Sequence, residues 1–193
     1  MTELKHICVY CGSNLGRQAI YKESAQALGK ALVERDLGLV YGGAHVGLMG
    51  VLADTVMSLG GRVIGIMPES LMQYEVAHHG LTRLEVVPSM HERKHRMAEL
   101  SDGFIALPGG VGTLEELFEI WTWAQLSFHQ KPCGLLNIAG YYDQLHAFLK
   151  HTVDEQFVKS SHYQMLLVEQ ESSTLLERFA AYQAPIIEKW HTR

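Results

Sequence analysis

The sequence predicts an α/β fold: a Rossmann-like, doubly wound parallel sheet in a single domain over residues 1–193. Two observations predict it. Apolar, β-branched runs alternate with helix-spaced patterns along the whole chain. The runs are also nearly continuous in apolar residues, as strands covered on both faces are. Right-handed crossovers between such strands wind helices onto both sides of the sheet. No internal repeat, linker or low-complexity segment interrupts the series.

Each element has a local reason. HICVYCGS (6–13) reads as a buried strand ending in Gly-Ser, and IYKESAQALGKALVERD (20–36) then carries apolar residues at helical spacing. LGLVYGG (37–43) is a second strand closed by Gly-Gly. VGLMGVLADTVMSLG (46–60) is a second helix, stopped by Gly60 and Gly61. RVIGIMP (62–68) is a strand that Pro68 ends. ESLMQYEVAHHGLTR (69–83) is the least regular stretch and reads as a loop over the sheet edge. LEVVPS (84–89), GFIALPGG (103–110), PCGLLNI (132–138) and MLLVEQ (165–170) are the remaining strands. HERKHRMAELS (91–101), TLEELFEIWTWAQLSF (113–128), about 141–157 and SSTLLERFAAY (172–182) are the remaining helices.

In such folds ligands sit beyond the carboxyl ends of the strands. That rule selects CGSN (11–14), YGGAHVG (41–47), MPESL (67–71) and LPGGVGTLEE (107–116), which are expected to converge on one crevice.

Composition narrows the classes. With 193 residues, 47% hydrophobic and 19% charged, the chain suits one folded domain with a sizeable core. The net charge is -5 and the Lys and Arg residues are scattered, so no basic run follows a nucleic-acid backbone. No apolar stretch approaches the roughly 20 residues of a membrane span. The start, MTELKHICVYCGS, places Lys5 and His6 where a secretory leader would build its apolar core. Three cysteines, Cys8, Cys11 and Cys133, without such a leader point to reduced thiols and a cytoplasmic location. Cys8 and Cys11 spell C-x-x-C, but Cys8 falls inside a strand, whereas a redox pair needs both thiols at a helix N-terminus.

LPGGVGTLEE follows a strand and opens a helix. Gly109, Gly110 and Gly112 allow close backbone approach, and the amides of Gly112, Thr113 and Leu114 lie where the helix dipole is positive, which makes a phosphate cradle. Thr113 is placed to cap the helix or to donate its hydroxyl to the anion. No Gly-Lys-Ser/Thr follows, so this is no Walker A loop. The third glycine of the dinucleotide fingerprint is missing, and the motif sits mid-chain. Glu115 and Glu116 are expected in the first helical turn, where the dipole favours carboxylates, and one should face the crevice. A carboxylate beside a phosphosugar suits cleavage of a glycosidic bond, through an oxocarbenium-like transition state and an activated water.

HERKH, from His91 to His95, spells H-E-x-x-H, the zinc-protease pattern, and Glu115, Glu116 or Glu119 offers a third ligand by spacing. The x positions are however Arg93 and Lys94, with Arg96 next, and three cations oppose a divalent metal. His78 and His79 read as loop residues. Arg93 and Lys94 are better suited to pair with phosphate or with charge developing on a leaving group.

Taken together, CGS (11–13), GGAHVGLMG (42–50), MHERKHRM (90–97) and PGGVGTLEE (108–116) resemble the Lonely Guy (LOG) family of cytokinin-activating enzymes, formerly labelled lysine decarboxylase-like. Its hallmarks are P-G-G-x-G-T-x-x-E, matched by Pro108 to Glu116, and an upstream M-H-x-R-K, matched by residues 90–94. TWAQL (122–126) is similar as well, and the resemblance covers roughly residues 6 to 180. It implies a Rossmann-like homodimer that binds a nucleoside 5′-monophosphate. The implied reaction is hydrolysis of the N-glycosidic bond, giving an adenine-type base and ribose 5-phosphate without metal or redox cofactor. Arg93 and Glu116 are then the implied catalytic pair. Glu75, Arg93, Lys94, Gly110, Val111, Gly112, Thr113, Leu114, Glu115, Glu116 and Thr122 are the implied substrate-binding positions. Val111 stands where plant members often carry an aromatic residue, and His45 replaces a small residue after Gly-Gly. The tail beyond Tyr182 is not explained by the family pattern; Trp190, Ile186 and Ile187 either pack on a partner subunit or close the core. The helix over 113–128, with Trp121 and Trp123, is the expected subunit interface.

Other readings compete. A non-catalytic AMP-binding sensor would need no Arg and Glu pair. Lysine decarboxylation would require pyridoxal phosphate on a Schiff-base lysine at a strand end, and none is read there. A related phosphoribosyl chemistry is not separated by sequence from the first reading.

Overall fold

A computed structural model describes residues 4–72 and 77–185. Glu75, Ile186, Ile187 and Trp190 lie outside the described residues, so the roles expected of them have no structural counterpart here.

The first strand, β1 (His6–Tyr10), leads to α1 (Ala19–Glu34), β2 (Gly38–Tyr41), α2 (Gly47–Ser58) and β3 (Val63–Pro68). A single-turn helix, α3 (Glu69–Met72), precedes β4 (Arg83–Val87). Then follow α4 (Met90–Glu99), β5 (Gly103–Ala106), α5 (Val111–Gln125) and β6 (Cys133–Leu136). A 3-10 turn (Ile138–Gly140), α6 (Asp143–Asp154), the short α7 (Ser160–Tyr163), β7 (Leu166–Glu169) and α8 (Ser172–Ala180) end the described chain.

The strands form one parallel sheet in the order β4-β3-β2-β1-β5-β6-β7. Strand alternation divides the core. Ile7 and Val9 of β1 join Leu28, Leu52 and Phe179 on the face covered by α1, α2 and α8. Cys8 and Tyr10 join Met97, Leu117 and Trp121 on the face covered by α4 and α5. Both alternating sets are buried, which explains the near-continuous apolar strands. The edge strand β4 has no buried residue, and its Arg83 and Glu85 form a pair 2.8 Å apart on an edge that needs charge to discourage further strand pairing.

Cys8 and Cys11 enter different cores on opposite faces of the sheet. A C-x-x-C redox pair is therefore not what this spacing builds. Burial pushes the Cys133 thiol up to about 12, and the Cys8 and Cys11 thiols are raised for the same reason.

The structure differs from expectation in three places. Residues 69–83 are more than a loop: α3 begins directly after Pro68, with Glu69 in its first turn, where the dipole favours an acid. Ala77 then makes an antiparallel bridge to Ala44 and packs with it and Met67. Secondly, α5 starts at Val111 rather than Thr113, with Gly110 as its N-cap. Thr113 is thus a first-turn residue and not a cap, and Glu115 and Glu116 fall beyond the first turn, where the dipole supports them less. Thirdly, Trp121 is core rather than interface: it is 3% exposed and donates through Nε1 to the His162 carbonyl at 3.0 Å.

Candidate active site

The chain order reverses between β1 and β5, which are neighbours in the sheet but far apart in sequence. Strand direction then places the loops after β1, β2, β3 and β5 at one rim. Hydrogen bonds join them. Gly12 N–H donates to the Pro108 carbonyl at 3.1 Å, and Leu48 N–H donates to the Gly12 carbonyl at 3.0 Å. The fourth segment joins by packing, with Met67 buried against Ala44, and just before it the Ile66 carbonyl accepts from Arg93 Nε at 3.0 Å. The four segments selected by the strand-end rule do converge.

At the head of α5, no side chain caps Gly110, so the first amides of the helix keep their donors for a ligand. A Cβ on Gly109 would overlap Thr113 Oγ1 and stand 2.9 Å from the Gly12 nitrogen, so only glycine lets these loops close up. Beyond Gly110 and Gly112 the space is open, where a ligand can approach. Two tyrosines that sequence reasoning passed over brace this loop from behind. Tyr141 Oη donates to the Gly109 carbonyl at 2.6 Å, and Tyr142 Oη donates to the Leu107 carbonyl at 2.7 Å. Their position just after β6, at the same rim, was the available signal. Beside the loop lies a hollow of about 240 Å3, bordered by Ser13, Asn14, Leu48, Gly110 and Tyr141.

Arg93 and Glu116 meet at this rim. Arg93 Nη1 lies 3.1 Å from Glu116 Oε1, with the two side chains 12% and 13% exposed. Gly42 makes the room: a Cβ there would overlap Arg93 Nη2. Burial raises the Glu116 carboxyl above its ordinary value; Arg93 and Lys94 draw it back, while Glu115 and Glu119 push it further up. A part-buried carboxylate paired with a fixed guanidinium suits stabilisation of a cationic sugar. The guanidinium itself suits an electron-rich leaving group.

The other expected residues divide. Lys94 is buried, but it points at α5: its Nζ lies 2.5 Å from Glu115 Oε1 and 3.0 Å from Glu119 Oε1. Val111 is 84% exposed at the rim, and Leu114 packs on the α5 core face. Thr122 is exposed, donates to the Phe118 carbonyl at 2.6 Å, and shares the outward side of α5 with Glu115 and Glu119. Six residues beyond Glu116, it stands roughly 9 Å further along the helix and is not brought to the pair.

HERKH does not present the helix face that a metal site needs. His91, Glu92 and His95 are exposed, while Arg93, Lys94 and Met97 turn inward, the reverse of a zinc-binding helix. Ser89 caps α4 by accepting the Glu92 N–H at 3.1 Å, so Ser89 to Glu92 supplies the spacing of a capping box and Glu92 marks a helix start. His95 pairs with Glu99 at 3.1 Å. Among the described residues no group of His, Cys, Asp and Glu side chains is arranged to hold a metal.

Fold and site together define a doubly wound α/β protein whose strand switch point carries an anion cradle and an Arg–Glu pair. A family model described as "Possible lysine decarboxylase" matches residues 49–179. A probable cytokinin riboside 5′-monophosphate phosphoribohydrolase of Oryza sativa subsp. japonica is 46% identical over 184 residues, 95% of this chain and 75% of that protein. A cytokinin riboside 5′-monophosphate phosphoribohydrolase of Arabidopsis thaliana is 44% identical over 181 residues, 94% of this chain and 85% of that protein. The chain belongs to this family, the LOG family of phosphoribohydrolases.

Among solved structures, the molybdenum cofactor binding protein from Rippkaea orientalis superposes with a TM-score of 0.70 at 20% identity, covering 94% of this chain and 98% of that one. The molybdenum cofactor carrier protein from Chlamydomonas reinhardtii gives 0.70 at 18% identity, covering 93% and 100%. These likenesses concern the fold alone.

Proposed function

We propose that the protein hydrolyses the N-glycosidic bond of cytokinin riboside 5′-monophosphates or AMP, releasing the adenine-type base and ribose 5-phosphate. Membership of a phosphoribohydrolase family supports this reading. The observation that carries it to particular residues is the part-buried Arg93–Glu116 pair, 3.1 Å apart, behind the uncapped head of α5.

In this reading the 5′-phosphate docks on the amides of residues 110–113, since the expected Leu114 N–H already donates to the Gly110 carbonyl at 3.2 Å, and Thr113 adds its hydroxyl. Glu116 faces the ribose, positions water or the ribose hydroxyls, and stabilises positive charge at the anomeric carbon as the bond to the base breaks. Arg93 stabilises the departing base and holds Glu116 in orientation. Glu75 and Thr122 enter as binding positions through the family pattern. All of this is done by the chain's own side chains and amides, with no metal or redox cofactor.

Lysine decarboxylation fits the residues poorly. A Schiff-base lysine needs a lowered pKa. Burial works against the Lys94 ammonium, but its bonds to Glu115 and Glu119 outweigh that, and Lys94 titrates above the ordinary lysine value. Burial does lower Lys131, but it stands before β6, at the opposite rim from the cradle, and donates to the Ala98 carbonyl at 2.8 Å.

The active form is a cytoplasmic homodimer. Trp123, Leu126 and Phe128 lie along the outward side and C-terminal end of α5, with Leu126 and Phe128 47% and 72% exposed, and they offer an apolar contact to a second copy. No described helix is long and apolar enough to cross a membrane.

The test is product analysis. Purified, EDTA-treated protein is incubated with AMP and with isopentenyladenosine monophosphate, and base and ribose 5-phosphate are measured by chromatography. Release from either substrate that is lost in Glu116→Gln supports the reading and ranks the bases. Tight AMP binding without release would replace it with a sensor. Activity lost in EDTA and restored by zinc would replace it with metal chemistry.

A further inference from the structure

Arg93 and Lys94 are adjacent on α4, yet they serve different carboxylates of α5. Arg93 takes Glu116, while Lys94 takes Glu115 and Glu119. The two acids held by Lys94 flank Glu116 on the same two turns of helix, directly behind the amides that would receive a phosphate. Three carboxylates therefore stand at a site meant for an anion, and two cations oppose them. The Lys94 side chain is 9% exposed; solvent screens its pair with Glu115, 53% exposed, more than its pair with Glu119, 28% exposed. Two of its three donors are already committed to carboxylates, which leaves little of it for a substrate.

We propose that Lys94 is a positioning residue. By holding Glu115 and Glu119 it neutralises the charges that flank Glu116, so that an ionised Glu116 and an incoming 5′-phosphate coexist at the head of α5. This rests on the phosphoribohydrolase reading and gives Lys94 a task different from the direct substrate contact that the family pattern implies.

The groups around Glu116 limit what else could set its charge. Arg93 and Lys94 face it from α4, and Glu115 and Glu119 from α5. From β1 and the residue after it come Cys8, Tyr10 and Cys11, all buried and neutral near pH 7. Lys94 is thus the group that offsets the acidic neighbours, while Arg93 pairs with Glu116 itself.

The experiment compares pH profiles of kcat/KM for the full-length protein and the variants Lys94→Met, Lys94→Arg and Lys94→Met with Glu119→Gln. In Lys94→Met the acidic limb moves up by about one pH unit, roughly a tenfold loss at a fixed pH on that limb. Lys94→Arg keeps the limb within about a third of that shift. Adding Glu119→Gln to Lys94→Met moves the limb back toward wild type, because one uncompensated acid has been removed. A lysine that touches substrate behaves otherwise: Lys94→Met raises KM with the limb unmoved, and Glu119→Gln repairs nothing. That result overturns the proposal. If the wild-type protein cleaves neither AMP nor isopentenyladenosine monophosphate, the reaction assigned above fails, and Glu116 is instead titrated by 13C NMR of labelled glutamate carboxyls. An upward shift of Glu116 in Lys94→Met then supports the role of Lys94, and an unchanged value overturns it.

Discussion

Gly42 and Arg93 are complementary: the guanidinium occupies the space that any side chain at position 42 would fill. The Nε bond to the Ile66 carbonyl then holds the guanidinium at the end of β3, and Nη1 reaches Glu116. Gly42→Ala should displace Arg93 while leaving β2 paired. A misplacement on the order of 1 Å costs about 100-fold in rate. The expected outcome is a fall of that size in kcat/KM with an unchanged far-ultraviolet circular dichroism spectrum. Activity within threefold of wild type would show that Arg93 needs no such space.

Glu116 sets a pH dependence whose sign follows from its burial. Its folded pKa lies above the unfolded value of 4.5. Activity that needs the carboxylate should rise with pH along a limb above 4.5, and Arg93→Gln should move that limb higher, because Arg93 favours ionisation. Stability runs the other way. As pH rises from 4.5 toward the folded pKa, the unfolded chain ionises first, so this carboxyl lowers stability through that window. Glu116→Gln should remove this contribution to the slope of Tm against pH while lowering turnover at least about 100-fold and sparing AMP binding.

The histidines of HERKH should be dispensable. His91 and His95 lie on the exposed side of α4. His91→Ala with His95→Ala should leave kcat/KM within about twofold, and dialysis against EDTA should leave it unchanged. The His95–Glu99 pair is solvent-exposed, so its loss should leave Tm essentially unchanged.

The tyrosine braces should separate binding from stability. Tyr142 is 2% exposed, and its bond to the Leu107 carbonyl is buried. Tyr142→Phe should destabilise the protein by about 1–2 kcal/mol in urea unfolding. Tyr141 is 43% exposed and braces Gly109, next to the cradle. Tyr141→Phe should cost less stability but raise KM for a 5′-monophosphate, with inhibition by ribose 5-phosphate weakening in parallel.

Much of the fold was legible because buried parallel strands and amphipathic helices carry different periods. Pro68, Gly60 and the Gly-rich loops then punctuated them. The crevice was legible too, since a strand-end rule needs only strand directions. Side-chain aim was not. Arg93 and Lys94 are neighbours in sequence, but 100° of helical rotation sends one to Glu116 and the other to Glu115 and Glu119, and the sequence bears no mark of that difference. Thr113 has the chemistry of a cap, yet α5 begins two residues before it, on Gly110. The S-x-x-E spacing from Ser89 marks the start of α4 in the sequence itself, where the zinc spelling overlaps it.

The cradle hangs from β1 and β5, the pair at the middle of the sheet, each bonded on both sides. Interior strands of this kind exchange their amide protons only when the whole molecule opens. A ligand that binds only the closed molecule makes that opening rarer by the factor one plus its concentration over its Kd. Occupancy of the crevice should therefore slow exchange at Val9 and Ile105 by one common ratio, and a protease that cuts only opened chains would register the same ratio.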